Sequence, residues 1–294
     1  MIRRILAVAA LAMAFVGCVT CPADAIRVGS YNIRLSPGDK GTPHAWELRK
    51  GDLVDLVRKM DLDAFGMQEV CPDQAQYLRE QLPEFAFVGD HREADRKSGE
   101  ASPVFYRKSR FEAEKSGTFW LSETPDVPAS KSWNTCCTRV CSYLILKDKV
   151  TGKRFCFANT HTDHVSELAR EKGMLLIVER MKDFGAGSPI VFTGDHNCRY
   201  DDAPAVAVRK VLKDGRDVTE SSVRGPRNTF QGFGKYKDGP VDKNGKTYKD
   251  YCIDYIYVSD GTRVLDFTTH DDKRPGTDLY PSDHFPVTAT IVLP

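Results

Sequence analysis

The chain has 294 residues, of which 41% are hydrophobic and 28% charged. This is the composition of an ordinary globular protein, long enough for one large α/β domain or two small ones. Lys and Arg together number 42 and Asp and Glu 41, so a protein that holds duplex nucleic acid through a bulk basic excess is excluded. An enzyme that acts on phosphates through a local site remains compatible with this charge.

The first 25 residues have the pattern of an export signal peptide. Two arginines near the start precede the apolar run 5–16, which has the length of a signal core and is too short to span a bilayer. Residues 23–25 read Ala-Asp-Ala and fit a cleavage site. We therefore expect residues 1–25 to be removed and the mature domain, residues 26–294, to be periplasmic or secreted.

Seven cysteines remain in the predicted mature chain. Export permits disulfides, and because seven is odd, at least one cysteine stays free or pairs between molecules. Cys136, Cys137 and Cys141 lack the spacing of a zinc site, so we interpret them as structural and expect Cys136 or Cys137 to form a disulfide. Residues 16–18 loosely resemble a lipoprotein processing site, and we expect contact with a membrane only if Cys18 is lipidated.

The first half of the mature chain alternates short apolar runs with helical patterns. Leu53, Leu56, Val57 and Met60 have the spacing of one face of an amphipathic helix. Around this helix we predict, in chain order, a strand over 26–33, a strand over 63–68 that runs into Glu69, a helix over 72–81, and strands over 85–88 and 103–106.

The second half begins with a predicted hairpin over 142–161, in which two apolar strands flank a charged turn at Gly152. A helix that carries Met174, Ile177, Val178 and Met181 follows, and then strands over 189–195, 250–259 and 285–293. The region 221–249 is rich in Gly, Lys, Asn and Asp, so we predict a long surface loop that recognises substrate. Strands mixed with helices in this way indicate one layered α/β domain.

Polar side chains recur where the predicted strands end. They are Asn32, Glu69, His161, Asp195, Asn197, Asp254, Asp283 and His284. Taken singly, each of these residues is more often structural or solvated than functional. At the tips of several strands they can converge on one rim, and their hard oxygen atoms suit Mg²⁺, Mn²⁺ or Ca²⁺.

Six short segments, taken in order with their flanks, resemble the motifs of the endonuclease/exonuclease/phosphatase superfamily, which has the DNase I-like fold. They are YNIR (31–34), GMQEV (66–70), NTHTDH (159–164), TGDHN (193–197), IDYIYVS (253–259) and YPSDHFPV (280–287). The resemblance covers residues 26–294, and residues 116–133 are similar to a bacterial, often exported, branch related to Ccr4-like and nocturnin-like proteins. It implies an α/β protein, a four-layer sandwich in which two mainly antiparallel or mixed sheets pack face to face.

The resemblance also implies a phosphoesterase that depends on a divalent metal. Glu69 would be the principal metal ligand, assisted by Asn32 and Asp283. We expect Mg²⁺ or Mn²⁺, with one strongly held ion and room for a weaker second, because a tight two-metal site is not required by this set of ligands.

The same resemblance assigns the proton-handling residues. His284 would be the general base that deprotonates the attacking water, and Asp254 would orient its imidazole. His161 would donate to a nonbridging phosphate oxygen or assist the leaving group. Asp195 and Asn197 would hold the nucleophile, the phosphate or a second metal. Such residues meet the needs of phosphoryl transfer, which are an in-line water and neutralised oxygens.

The predicted substrate is a phosphate ester, either nucleic acid or a small phosphorylated molecule, and we expect a monomer with no strong bulk affinity for nucleic acid. A nuclease, possibly acting as a 3'-5' exonuclease, is the first hypothesis because of the Ccr4-like resemblance. The alternative is a phosphatase or phosphodiesterase that acts on sugar phosphates, nucleotides or lipid headgroups. A noncatalytic binding protein on the same scaffold is less favoured, because Glu69, Asp254 and His284 are all present.

Two histidines depart from the expected roles. His196 stands where the superfamily usually has an aromatic or aliphatic residue, and neighbouring side chains of an extended segment point to opposite faces. Since Asp195 and Asn197 are expected to face the site, we predict that His196 packs away from it. We do not expect His161 and His164 to form a zinc pair, and we interpret His164 as capping or orienting the helix that follows.

Overall fold

The computed structural model describes residues 22–236, 245, 247 and 251–294. Most of the predicted signal peptide, including Cys18, and most of residues 237–250 lie outside the described residues. Among the residues described, no helix is both long enough and apolar enough to cross a membrane.

The elements follow one another along the described chain in an irregular alternation of strands and helices. They are β1 (Ile26–Asn32), α1 (Trp46–Met60), β2 (Ala64–Gln68), α2 (Pro72–Gln81), β3 (Phe85–Val88), β4 (Val104–Arg107), β5 (Phe111–Trp120), β6 (Val140–Asp148), β7 (Arg154–His161), α3 (Glu167–Gly185), β8 (Ile190–Asp195), α4 (Ala203–Arg209), β9 (Lys213–Asp214), β10 (Asp254–Val258), β11 (Arg263–Thr269) and β12 (Val287–Val292).

The strands form two sheets of six strands each. Their orders are β11-β12-β1-β2-β4-β3 and β5-β6-β7-β8-β10-β9. In each sheet one central pair is parallel, β1 with β2 and β7 with β8, whereas the other pairs are antiparallel. Both sheets are therefore mixed, which confirms the predicted fold class.

Three apolar clusters hold these layers together. The middle cluster joins the facing sides of the two sheets, for example Val28 of β1 with Phe157 of β7. A second cluster lies between the first sheet and helix α1, where Leu53 and Val57 are buried. The third lies between the second sheet and helix α3, where Met174 and Met181 are buried. Helix, sheet, sheet and helix thus form the four predicted layers.

The elements absent from the prediction have weak apolar patterns. Strand β5 exposes much of its middle, since Glu112 and residues 114–116 face solvent. A bulge between Val264 and Asp266 interrupts the alternation in β11. Residues 221–249 were predicted to be a surface loop, yet Thr229 and Gln231 are buried. Hydrogen bonds and packing from neighbouring segments, rather than local sequence pattern, stabilise these parts.

The disulfide prediction is wrong for this structure. All seven described cysteines are free thiols. Cys136 and Cys137 are adjacent in sequence, and their sulfur atoms are 3.5 Å apart, well beyond bonding distance. The five other cysteines are buried and behave as small apolar core residues.

A buried polar network crosses between the two sheets beside Gly66. The Asn159 amide nitrogen donates to the carbonyls of Met67 and Pro103, at 2.7 and 2.9 Å. Its oxygen accepts from Gln68, at 2.7 Å. A Cβ atom at position 66 would lie 2.1 Å from this oxygen, so only glycine permits this close approach.

We expect Gly66→Ala to lower the free energy of unfolding by about 1–3 kcal/mol, because the added methyl group overpacks the interface between the sheets. Gly51→Ala is the matched control. Gly51 lies inside α1 with open space around its Cα, so that change should raise stability by about 0.5–1 kcal/mol. Urea unfolding of the three proteins measures both effects. Equal urea midpoints for the two variants would contradict the close approach of the Asn159 side chain to the backbone at position 66.

Candidate active site

Three adjacent strands of the second sheet place His161, Asp195 and Asp254 side by side. In the strand register, His161 of β7 pairs with Asp195 of β8, and Asp195 pairs with Asp254 of β10. Residues directly opposite one another on neighbouring strands project on the same face of a sheet. All three side chains are almost fully buried. The sequence pattern predicted that these residues lie at strand ends, and the pairing of β7, β8 and β10 brings them next to one another.

The first sheet contributes Asn32 and Glu69. Asn32 ends β1, and Glu69 follows directly after β2. The amide nitrogen of Asn32 donates to Glu69 Oε1 at 3.1 Å and, across the interface between the sheets, to Asp195 Oδ2 at 2.9 Å. Its oxygen accepts from the backbone of Arg34 at 3.0 Å. Both ends of this amide are engaged, so in this structure Asn32 positions the two carboxylates.

His284 joins this group from the loop before β12. Its Nδ1 is 2.9 Å from Asp254 Oδ2, and its Nε2 is 3.6 Å from Asp195 Oδ2. The ring of Phe230 packs against the imidazole, with centroids 5.0 Å apart. The Thr229 hydroxyl accepts from the backbone of Asp254 at 3.1 Å. The segment at 229–231, assigned to a surface loop by its sequence, therefore forms one wall of the site.

Asn197 orients the second histidine of the group. Its amide nitrogen donates to His161 Nε2 at 2.9 Å, and its backbone nitrogen donates to Asp195 Oδ1 at 3.0 Å. Because Nε2 accepts, a neutral His161 carries its proton on Nδ1. That buried Nδ1 has no hydrogen-bond partner among the described residues, and the nearest carboxylate oxygen, on Glu100, is 3.8 Å away. An unpartnered buried donor at a pocket wall is available to bind a ligand.

Burial and mutual charge shift the pKa values of the group. Burial raises the pKa of Asp195 to about 7, although the neighbouring His284 opposes that shift. Burial disfavours the His284 imidazolium, but the Asp254 and Asp195 carboxylates outweigh this and raise its pKa to about 10. Burial, with Arg139 and His284 nearby, lowers the pKa of His161 well below its ordinary value. The two carboxylates thus favour the imidazolium form of His284, whereas burial keeps His161 neutral.

Backbone strain is concentrated around the same group. Arg34, Glu69 and Asn197 have φ values of 59°, 62° and 46°, in the left-handed region that residues with a Cβ rarely adopt. Each such residue costs on the order of 1–3 kcal/mol and persists only where surrounding contacts impose it. The buried Arg49 supplies some of these contacts, since it donates to the carbonyls of Ile33 and Arg34 at 2.6 and 2.7 Å.

A cavity of about 410 Å³ opens over these residues. It is lined by Arg34, Leu35, Glu69, Glu100, Arg139, His161, His164, Asp195, Asn197, Phe230, Tyr251, Ile253, Asp283 and His284. Asn32 and Asp254 lie buried beneath it. The eight residues singled out in the sequence thus surround one pocket, and their roles there remain predictions.

Sequence reasoning missed part of this lining. Arg139 lines the pocket, whereas Arg274 lies outside this lining and pairs with Asp52 at 2.7 Å. Glu100 contacts Arg92 at 2.9 Å and faces His161 from a loop with no distinctive motif. Arg34 belongs to the YNIR segment, which could have drawn attention to it.

The donor atoms around the pocket can hold a divalent metal. Asp195, Asp254 and His284 each offer a ligand atom within 4.8 Å of the others. However, His284 Nδ1 is already bonded to Asp254, so this triad is better suited to proton transfer. Glu69 and Asp283 add two further carboxylates at the pocket wall, and Asp283 lies 3.8 Å from Arg34. Such hard oxygen donors suit Mg²⁺ or Mn²⁺.

The prediction for His196 is confirmed. Its ring is fully buried and packs among Phe192, Tyr255 and Tyr257, with centroids 4.6 to 5.5 Å apart. Of the two roles predicted for His164, capping or orienting α3, the capping role is wrong, because Ser166 is the N-cap and accepts from Ala169 at 3.1 Å. The exposed His164 contacts Arg139 and Cys136 instead.

The two mixed sheets and the Asp-His pair with its surrounding carboxylates define a metal-assisted phosphate-ester hydrolase of the DNase I-like fold. The sequence profile of the Endonuclease/Exonuclease/phosphatase family matches residues 29–284. The chain therefore belongs to this family and is an enzyme that hydrolyses phosphate esters. No curated protein matches the chain significantly.

Solved structures agree with this family assignment. An endonuclease/exonuclease/phosphatase from Bacteroides vulgatus is 32% identical, with a TM-score of 0.83 over 92% of this chain and 99% of that one. A mannosyl-6-phosphatase from Bacteroides thetaiotaomicron is 34% identical, with a TM-score of 0.81 over 91% and 100%. The catalytic domain of human nocturnin is 19% identical, with a TM-score of 0.69 over 92% and 95%, and shares the fold.

We expect His196→Phe to make the protein more resistant to acid. Burial lowers the pKa of His196 from 6.5 to about 3, and the nearby Thr193 backbone opposes this only in part. The unfolded chain therefore binds a proton below pH 6.5 that the folded protein cannot, so stability falls as the pH decreases from 6.5 towards 3. At pH 5 protonation of His196 in the unfolded chain lowers the free energy of unfolding by about 2 kcal/mol.

Urea unfolding at pH 7 and pH 5 measures this difference, because the other titrating groups are common to both proteins. The wild type should lose about 2 kcal/mol more than His196→Phe between these pH values. Parallel losses in the two proteins would show that His196 is not held neutral by the core.

Proposed function

We propose that the protein is an exported, divalent-metal-dependent phosphatase that removes phosphate from a small phosphorylated sugar. The observation that carries this proposal is the pocket of about 410 Å³, in which predicted phosphate-handling residues and polar side chains suited to sugar hydroxyls line one cavity. Its volume falls in the range of small-molecule sites. The 34% identity with a mannosyl-6-phosphatase supports the same class of substrate.

In this mechanism His284 accepts a proton from the attacking water. Asp254 holds Nδ1 of the ring and stabilises the imidazolium that forms. The charge of a divalent cation in the pocket would lower the pKa of His284, so that the unprotonated ring is available to the water. The neutral His161 donates its Nδ1 proton in a hydrogen bond to a phosphate oxygen. Asn197 fixes the tautomer of His161 through Nε2. Asp195 orients the water from its place 3.6 Å from His284.

Glu69 and Asp283 would hold the divalent cation, with Asn32 positioning Glu69. When bound, such a cation neutralises charge on the phosphate oxygens. The backbone nitrogen of Leu35 donates to Glu69 Oε2 at 2.9 Å, which restricts the rotation of this carboxylate. A carboxylate fixed in this way is preorganised for a metal.

The sugar would bind against the remaining wall of the pocket. Glu100 and Arg139 lie 3.7 Å apart there and present an acceptor beside donors, a combination that suits vicinal hydroxyl groups. The rings of Phe230 and Tyr251 offer apolar surface for one face of the sugar. The nuclease hypothesis is less favoured, because the near-neutral charge and the size of the pocket fit a small substrate better.

We expect purified residues 26–294 to release phosphate from hexose 6-phosphates with Mg²⁺ or Mn²⁺ and to stop in EDTA. His284→Ala should lower kcat at least about 100-fold through loss of the general base. Glu69→Gln should raise the metal concentration needed for activity. Two assays measure these effects. One follows phosphate release from hexose phosphates, p-nitrophenyl phosphate and bis-p-nitrophenyl phosphate, and the other follows cleavage of single-stranded DNA and RNA. Turnover of nucleic acid alone would instead favour the nuclease.

We expect Arg139→Met to raise KM for the sugar phosphate at least about tenfold with little change in kcat, because a hydrogen bond to a charged group contributes about 1.5–3 kcal/mol. Arg274→Met is the control, since that arginine pairs with Asp52 outside the pocket. Steady-state kinetics of both variants give the comparison. An equal KM in both variants would exclude Arg139 from substrate binding.

A further inference from the structure

A cluster of soft metal ligands lies at the rim of the pocket, apart from the carboxylates at its base. It consists of Cys136, Cys137 and His164, whose ligand atoms all lie within 4.8 Å of one another. Cys136 and His164 are exposed and Cys137 is half-buried, so an ion from solution can reach all three. None of the three has a part in the proposed phosphatase mechanism.

Two of the three ligand distances in this cluster are close to the edges of a metal tetrahedron. Zinc lies about 2.3 Å from sulfur and about 2.05 Å from nitrogen, which sets tetrahedral edges of about 3.8 Å between sulfurs and about 3.6 Å between sulfur and nitrogen. The observed distances are 3.5 Å from Cys136 Sγ to Cys137 Sγ and 3.6 Å from Cys136 Sγ to His164 Nδ1.

Hydrogen bonds hold the two ligand segments together before any metal binds. Thr135 Oγ1 and the backbone nitrogen of Cys136 donate to Asp163 Oδ2 at 2.8 and 2.9 Å. Ser166 Oγ, which caps α3, donates to the carbonyl of Trp133 at 2.7 Å. The loop that carries Cys136 and Cys137 is thereby fixed to the start of α3, next to His164. Preorganised ligands lose less conformational entropy when a metal binds.

The imidazole of His164 presents the required lone pair. Arg139 Nη2 lies 3.2 Å from His164 Nδ1, and a guanidinium can only donate. Nδ1 is therefore unprotonated, and this is the nitrogen closer to Cys136 Sγ, at 3.6 Å against 3.9 Å for Nε2. A metal at this position replaces Arg139 as the partner of Nδ1.

We propose that Cys136, Cys137 and His164 form a binding site for one thiophilic d¹⁰ cation such as Zn²⁺. Thiolate and imidazole ligands select such ions, whereas the carboxylates around Glu69 select Mg²⁺ or Mn²⁺. The fourth position of the tetrahedron is left to solvent. Binding releases the two thiol protons to the solvent, so affinity rises with pH.

Cadmium is the probe, because its bonds to thiolates produce a charge-transfer absorption in the ultraviolet. Residues 26–294, fully reduced and stripped of metal by a chelator, should develop this band with one equivalent of Cd²⁺, and Zn²⁺ should abolish it by competition. Cys136→Ser, Cys137→Ser and His164→Ala should each weaken binding more than about tenfold, since even the outer partners of a metal ligand contribute that much.

Two controls separate this site from others in the chain. Cys141→Ala removes a fully buried thiol from β6 and should leave the band unchanged. Glu69→Gln alters the proposed catalytic metal site and should also leave it unchanged. The proposal is overturned if the reduced protein shows no band, or if the band survives in the Cys136→Ser/Cys137→Ser double variant. The readout needs no substrate, so it is independent of whether the protein is a sugar phosphatase.

Discussion

The buried amide of Asn159 sets the spacing on which the active site depends. It donates to two carbonyls of the opposite sheet and accepts from Gln68, beside a glycine that lets the backbones approach. An unpaired amide at this depth would cost roughly 1–3 kcal/mol, so the two sheets are held at one separation. At that separation the end of β1 reaches the end of β8, and Asn32 can donate to Asp195.

The candidate active site lies at the edge of the interface between the two sheets. Burying its charged groups and straining its backbone both cost free energy. Asp195, Asp254 and His284 are almost fully buried and are stabilised chiefly by one another. Strained backbone at Glu69 and Asn197 adds to these costs. The burial of apolar side chains in the layers on both sides of the sheets stabilises the fold and offsets these unfavourable contributions. The outcome is a group of preorganised dipoles and charges, which is the main way in which enzymes stabilise developing charge.

Strands and helices with regular apolar patterns could be predicted from the sequence. Helices α1 and α3 and the hairpin of β6 and β7 follow from the spacing of their buried residues. Strands β5 and β11 could not be predicted, because exposure or a bulge removes the alternation that marks a strand. In the site, the polar residues at strand ends were visible, but Glu100 lies in a loop without any motif.

The sequence by itself determined the family, the fold class and the polar residues at the strand ends, because local patterns and short motifs encode them. Only the tertiary structure decided which residues meet. It placed Arg139 at the pocket and Arg274 beside Asp52, and it brought Cys136 beside His164, 28 residues away along the chain. Such contacts depend on strand register and loop packing, which are set by interactions between distant segments and therefore leave no local signature.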